Sequence, residues 1–279
     1  MYKDGKWAKE IIALQKSNGS WGFFHALSEP NKNPITTEQA LRRLEILGYG
    51  IEDDYIAMAV EYMDNCLRDK KQIPDRREKL HDWDIFTDLM LSTWIRRFTN
   101  GNDTANRIVR KWAALISTAF TNGEYNHAAY VSAYQNTFAM KPNGGRLVDF
   151  VSFYQVSLIA DCLDEQTETA VFDYILSHRE GIYYLSSGPM TILPERFSSK
   201  QTSRYLAAME LMATYRSSKH KLQFVVEWLH QNRDDNGNWD IGATSKDMIY
   251  FPLSDDWRKK EARISDCTYR VQRFLDKVI

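Results

Sequence analysis

Apolar residues recur at intervals of three and four along almost the whole chain, the period of one buried face of an α-helix. The pattern runs through Trp7, Ile11 and Leu14, then Leu41, Leu44 and Leu47, then Ile85, Leu89, Leu91 and Ile95. It continues in Val109, Trp112, Leu115 and Ile116, in Leu147, Phe150, Val151, Tyr154 and Leu158, and in Tyr205, Ala208, Leu211 and Met212. Leu222, Val225, Val226 and Leu229 carry it on, and Ile264, Tyr269, Val271 and Phe274 close it. No run alternates apolar and polar residues as a half-buried strand would. The spacing predicts an all-α chain of about eleven helices. Boundary signals agree. Thr36-Thr37-Glu38 and Ser199 through Ser203 have the residue types of N-caps, Ser265-Asp266 would open the last helix, and Gly48 and Gly50 stand where C-cap glycines do. Pro74, Pro142, Pro189, Pro194 and Pro252 all fall between helical runs. No Ser/Gly/Pro linker divides the sequence, so 1–279 reads as a single domain.

The balance of 36 basic against 37 acidic residues gives a formal charge of −1 in 279 residues. That removes the electrostatic footprint of a nucleic-acid binder, and no segment approaches the ~18 uncharged apolar residues of a membrane span. The Met1-Tyr2-Lys3-Asp4-Gly5-Lys6 start lacks the apolar run of a signal peptide, and Cys66, Cys162 and Cys267 are odd in number and far apart. A soluble protein of the reducing cytoplasm is the expectation. The unusual figure is 8 Trp, 15 Tyr and 13 Phe beside only 13 Gly and 7 Pro. Many of these rings must be buried, and because Trp and Tyr carry a polar atom that needs a partner, cores rich in them often wall a cavity.

Glycine, one residue, then an aromatic follows several helices: Gly19-Ser20-Trp21, Gly123-Glu124-Tyr125, Gly181-Ile182-Tyr183 and Gly237-Asn238-Trp239. The glycines lie 104, 58 and 56 residues apart. With one degenerate copy near Lys70 to Pro74, this is a unit the length of a helical hairpin. The first and last copies are fuller, Gln15 preceding Gly19 by four and Gln231 preceding Gly237 by six. Glycine allows the turn, the ring packs back on the helix, and the glutamine amide can bond helix-end backbone groups. Repeated hairpins that close on themselves give an α/α toroid of five to six hairpins. Its inner helices would begin near Thr37, His81, His127 or Leu147, Gln201 and Asp266.

Gln15-Lys16-Ser17-Asn18-Gly19-Ser20-Trp21 and Gln231-Asn232-Arg233-Asp234-Asp235-Asn236-Gly237-Asn238-Trp239 resemble the Gln-Trp repeats of squalene and oxidosqualene cyclases and their prenyltransferase relatives. Ile264-Ser265-Asp266-Cys267-Thr268 resembles the Asp-Cys-Thr start of the oxidosqualene cyclase acid motif. The resemblance implies a central, aromatic-lined cavity for an isoprenoid or similar apolar small molecule, with Asp266 as the general acid. Tyr269-Arg270 stands where that family has Ala-Glu, and the length supplies one helical domain where triterpene cyclases use two. The related prenyltransferases bind zinc through Asp, Cys and His. Here Asp266 and Cys267 are adjacent and no His follows them, so no metal or other cofactor is expected.

His81-Asp82-Trp83-Asp84 precedes an apolar helix, so Asp82 and Asp84 would face the mouth of a ring together with Asp149, Gln201, Arg204 and Asp266. The catalytic candidates are therefore Asp266, Asp82 and Asp84. The substrate-binding candidates are His81, Trp83, Asp149, Gln201, Arg204 and Arg270, the last lying one turn after Asp266 and placed to pair with it. Paired carboxylates at such a mouth would equally serve a carbohydrate-active (α/α) barrel enzyme. A third alternative is a non-catalytic toroid that binds a partner protein. Asp53-Asp54-Tyr55-Ile56-Ala57 lacks the third carboxylate of a magnesium-diphosphate motif, and His25, His127, His178, His220 and His230 are isolated and read as packing or surface.

Overall fold

Most of the helical period becomes helix in the computed structural model, which describes residues 2–25, 34–69, 72–78, 82–143 and 149–279, but Phe150 and Val151 lie ahead of the helix that starts at Phe153. Twelve α-helices and no strand lie among the described residues, and the one extended pairing is a parallel bridge between Ser152 and Tyr183. None of these helices is long and apolar enough to cross a membrane. Backbone contacts group the chain into two compact units, Met1–Lys111 and Trp112–Ile279.

The first unit begins with α1 (Lys6–Ile12), α2 (Thr37–Ile46) and α3 (Asp54–Arg68). Thr36 caps α2 in a complete capping box, its hydroxyl taking the Gln39 N–H while the Gln39 side chain takes the Thr36 N–H. Gly48 follows α2 with φ +97°, as expected of a glycine past a helix end. The next helix, α4 (Trp83–Phe98), is buried on every face from Leu89 to Ile95. A helix apolar all round belongs in a core, and α3 packs along it.

The division between the units falls within α5 (Asp103–Ala119). The second unit continues with α6 (His127–Phe138), α7 (Phe153–Ile159) and α8 (Glu165–Ser177). Then come α9 (Lys200–Met212), α10 (Ser218–Lys221), α11 (Gln223–Gln231) and α12 (Lys260–Val278). α9 is buried almost continuously from Thr202 to Met212 and is capped by Ser199. In contrast, α8 buries the single stripe Glu168, Val171, Phe172, Ile175 and Leu176. Residues 144–148 and 70–71 lie outside the described residues, so the alternative helix start at Leu147 and part of the expected degenerate repeat fall there.

The four Gly-x-aromatic turns share one backbone form. Their glycines have φ of +87°, +78°, +73° and +85°, and each donates its N–H to the carbonyl three residues back. The first and last copies match much further. Trp21 Nε1 donates to Ile11 O and Trp239 Nε1 to Leu229 O, both at 2.7 Å and both ten residues back. The Trp21 N–H donates to Thr37 Oγ1 at 2.9 Å, and the Trp239 N–H to Thr268 Oγ1 at 3.0 Å. Gln15 Nε2 donates to Gly19 O at 3.0 Å, but in the last copy the donor is Arg233 Nε at 2.9 Å rather than Gln231. Spacing from the glycine decides this, since only a residue four before it reaches that carbonyl. A second correction concerns Tyr183, which is 49% exposed while Ile182 is fully buried, so in the third copy the middle residue and not the ring packs inward.

Candidate functional site

Asp266 does not open the last helix. α12 starts at Lys260 with Lys259 as an N-cap that makes no side-chain bond, which puts Asp266 in the second turn, 1% exposed. Its Oδ2 accepts four donors: the N–H groups of Leu253 and Ser254 at 2.8 Å, Ser254 Oγ at 2.9 Å and Trp257 Nε1 at 2.8 Å. Its Oδ1 is buried and has no hydrogen-bond partner among the described residues. The next two side chains also capture backbone. Cys267 Sγ accepts from the Ile241 N–H at 3.4 Å, and Thr268 holds Trp239. Burial pushes the Cys267 thiol up to about 12, so it stays a neutral acceptor. One turn earlier, Arg263 grips Asp240 at 2.8 and 2.7 Å. Asp-Cys-Thr, with Arg263, therefore stitches the segment from Trp239 to Trp257 onto α12.

Arg270 does not pair with Asp266. Its guanidinium, on a side chain 5% exposed, donates to Glu210 at 2.7 and 3.0 Å and to the Ser203 hydroxyl and carbonyl, both at 2.9 Å. The rings of Tyr250 and Phe251 cover it at 4.7 and 5.1 Å. Bidentate contact with Glu210 and flat stacking are the geometry that a planar guanidinium meets best.

Asp149 meets a histidine that reads as isolated in sequence. Asp149 Oδ2 accepts from Tyr174 OH at 3.1 Å and faces His178 Nε2 at 3.3 Å, and Oδ1 accepts the Val151 N–H at 3.0 Å. Burial alone would push the Asp149 carboxyl up, but the bonds from His178, Val151 and Tyr174 outweigh it and hold the carboxyl below its ordinary value. Around it, Phe120, Tyr125, Phe150 and Tyr174 pack ring on ring, with Tyr125 and Tyr174 4.4 Å apart. These rings meet by edge and tilted contacts and, between Phe150 and Tyr174, by stacking.

The remaining predicted residues have plain placements. His81 lies outside the described residues. Asp82, in the first unit, is the N-cap of α4 and accepts the Ile85 N–H at 3.1 Å. Trp83 is buried, and Asp84 makes an exposed ion pair with Arg77 at 3.3 Å. Gln201 and Arg204 are exposed on the first turns of α9. The first unit also has a half-open cavity of about 360 Å³ beside α3, with a mixed lining that includes Asn18, Met58, Glu61, Tyr62, Asn65 and Cys66. Sequence reasoning missed Trp257, Ser254, Glu210 and His178, whose partners are 9 to 60 residues away with no helical spacing to announce them. No protein-family model, curated protein or solved structure matches the chain.

Proposed function

We propose that the chain is an α/α toroid of five to six hairpins, similar in build to the terpenoid cyclases and prenyltransferases. In this reading it binds an isoprenoid or similarly apolar small molecule, with Asp266 as the proton donor. The paired Trp21 and Trp239 turns support a repeated hairpin, and the contrast between all-round burial of α4 and α9 and the single stripe of α8 supports alternating inner and outer helices. One observation carries the functional part. A fully buried carboxyl has one oxygen held by four donors, which could stabilise the charge left after a proton is delivered, and the other with no partner among the described residues. Arg270 is spent on Glu210 and does not compete.

Native mass spectrometry of the purified protein, alone and after incubation with squalene as a probe hydrocarbon, tests the reading. Wild type and Asp266→Asn are both expected to retain the hydrocarbon, and only wild type to convert it to an isomer of equal mass and different retention time. Failure of the wild type to hold any isoprenoid would remove the proposal. A non-catalytic scaffold is the second reading, favoured by the stitching role of Asp266, Cys267 and Thr268. It predicts that Asp266→Asn lowers stability with no change in any bound small molecule.

A further inference from the structure

His178 stands at the third Gly-x-aromatic turn with both ring nitrogens engaged. Nε2 lies 3.3 Å from Asp149 Oδ2, and Nδ1 lies 3.1 Å from the Gly181 carbonyl. A carboxylate and a carbonyl only accept, so both contacts are hydrogen bonds only when each nitrogen carries a proton, as in the imidazolium. The two acceptors belong to segments that also pair through their backbones. The Tyr183 N–H donates to Val151 O at 3.1 Å, and the Phe153 N–H donates to Tyr183 O at 3.0 Å, which fixes the start of α7 against the turn after α8.

We propose that His178 is a pH-sensitive clamp that fastens the start of α7 to the Gly181 turn as the imidazolium and lets go of one segment as the neutral ring. After the proton leaves, one N–H must serve two acceptors, and the nitrogen left bare points its lone pair at an oxygen lone pair. The clamp is independent of any ligand in the proposed cavity.

The groups facing the ring favour the charged form. From the α7 side comes the Asp149 carboxylate, whose hydrogen bond is the largest influence raising His178 above its ordinary 6.5. From α8 comes Tyr174, and behind Asp149 stand Tyr125 and Tyr130, all three phenols pushed up by burial and therefore neutral. On the turn itself, Glu180 adds a weaker negative charge and is exposed beside Arg179. Among the main influences on the ring, only partial burial opposes the imidazolium, and the exposed Arg179 next to it is turned to Glu180.

The test joins ring-nitrogen NMR with amide exchange on the full chain, assigning His178 by comparison with His178→Gln. At about pH 6 both His178 nitrogens should be protonated. The opening constants of the Phe153 and Tyr183 amides should rise about tenfold as pH climbs through the His178 titration, the size expected for the loss of one charge-assisted hydrogen bond. In His178→Gln those amides should open more readily and independently of pH. Asp149→Asn, which keeps an acceptor but no charge, should move the His178 titration downward and the amide response with it. A wild-type His178 carrying a single ring proton at about pH 6, or amide opening flat across its titration, would overturn the clamp.

Discussion

Four glycines share one backbone form yet differ in what surrounds them, and the difference ranks their substitutions. All four sit at positive φ, where an L-residue costs about 1–2 kcal/mol. A Cβ on Gly19 would stand 2.2 Å from the Met58 carbonyl oxygen in the backbone of α3, whereas one on Gly123 would meet nothing within 4 Å. On Gly237 it would meet only the far end of the Arg233 side chain, at 2.7 Å, which could swing aside by giving up its bond to the Gly237 carbonyl. Gly19→Ala is therefore expected to cost more than about 3 kcal/mol, because overlap with a helix backbone adds to the dihedral cost, and Gly123→Ala only about 1 kcal/mol. Urea midpoints of the two variants check the order; equal losses would mean that the first turn does not rest on α3. The repeat was legible from glycine and aromatic spacing alone because the turn is local. The close approach of Gly19 to Met58 was not, since it depends on where α3 lies.

At the scale of the element, helix existence was legible and not every start was: the run through Phe150 and Val151 becomes helix only from Phe153. Thr36, Asp82 and Ser199 all cap as their residue types suggest, and each sits immediately before its periodic run. α12 breaks the rule, beginning at Lys259-Lys260 with no capping side chain, while Ser265-Asp266 offers a false cap six residues later. The acidic residue there bonds the 253–257 loop, a tertiary demand that overrides local capping. Two substitutions separate the cases. Thr36→Ala should cost about 1 kcal/mol, the usual value of a lost N-cap. Ser265→Ala, at an exposed position inside the helix, should be neutral or stabilising by a few tenths of a kcal/mol on helix propensity. Thermal or urea unfolding measures both, and a loss of about 1 kcal/mol in Ser265→Ala would restore the helix start at Ser265. The tryptophans belong to this scale too. Trp21 and Trp239 each hand an indole N–H to a carbonyl in the last turn of the preceding helix, as a second donor beside the N–H groups of Leu14 and Asn232. They act as C-terminal caps, and rings used this way are not available to line a cavity.

For the whole molecule, part of the aromatic wealth read from composition goes to turn caps, the Phe120–Tyr125–Phe150–Tyr174 cluster and the cover over Arg270, and other rings such as Trp94 and Trp112 are buried in the cores. The acid candidate Asp266 was found by resemblance, but its partners were not, because the loop that supplies Trp257 and Ser254 has no period to read. The pairing of Asp149 with His178 spans 29 residues and was equally silent, yet it adds a pH-dependent contribution to the stability of the molecule. His178 is raised above 6.5 chiefly by its bond to Asp149, so its contribution is complete below 6.5 and fades as pH rises through its folded-state value. Asp149 is held below 3.8, burial opposing and His178, Val151 and Tyr174 prevailing, so its contribution is complete above 3.8 and fades as pH falls through its folded-state value. Both are therefore fully present only between 3.8 and 6.5. The difference in unfolding free energy between wild type and His178→Gln, taken from urea titrations across this range, should form a plateau within that window and decline on both sides. Groups elsewhere in the chain titrate in both proteins and cancel. A difference that grew with rising pH would require a neutral His178 in the folded protein, with Nδ1 or Nε2 bare against an oxygen, which the distances of 3.1 and 3.3 Å do not favour.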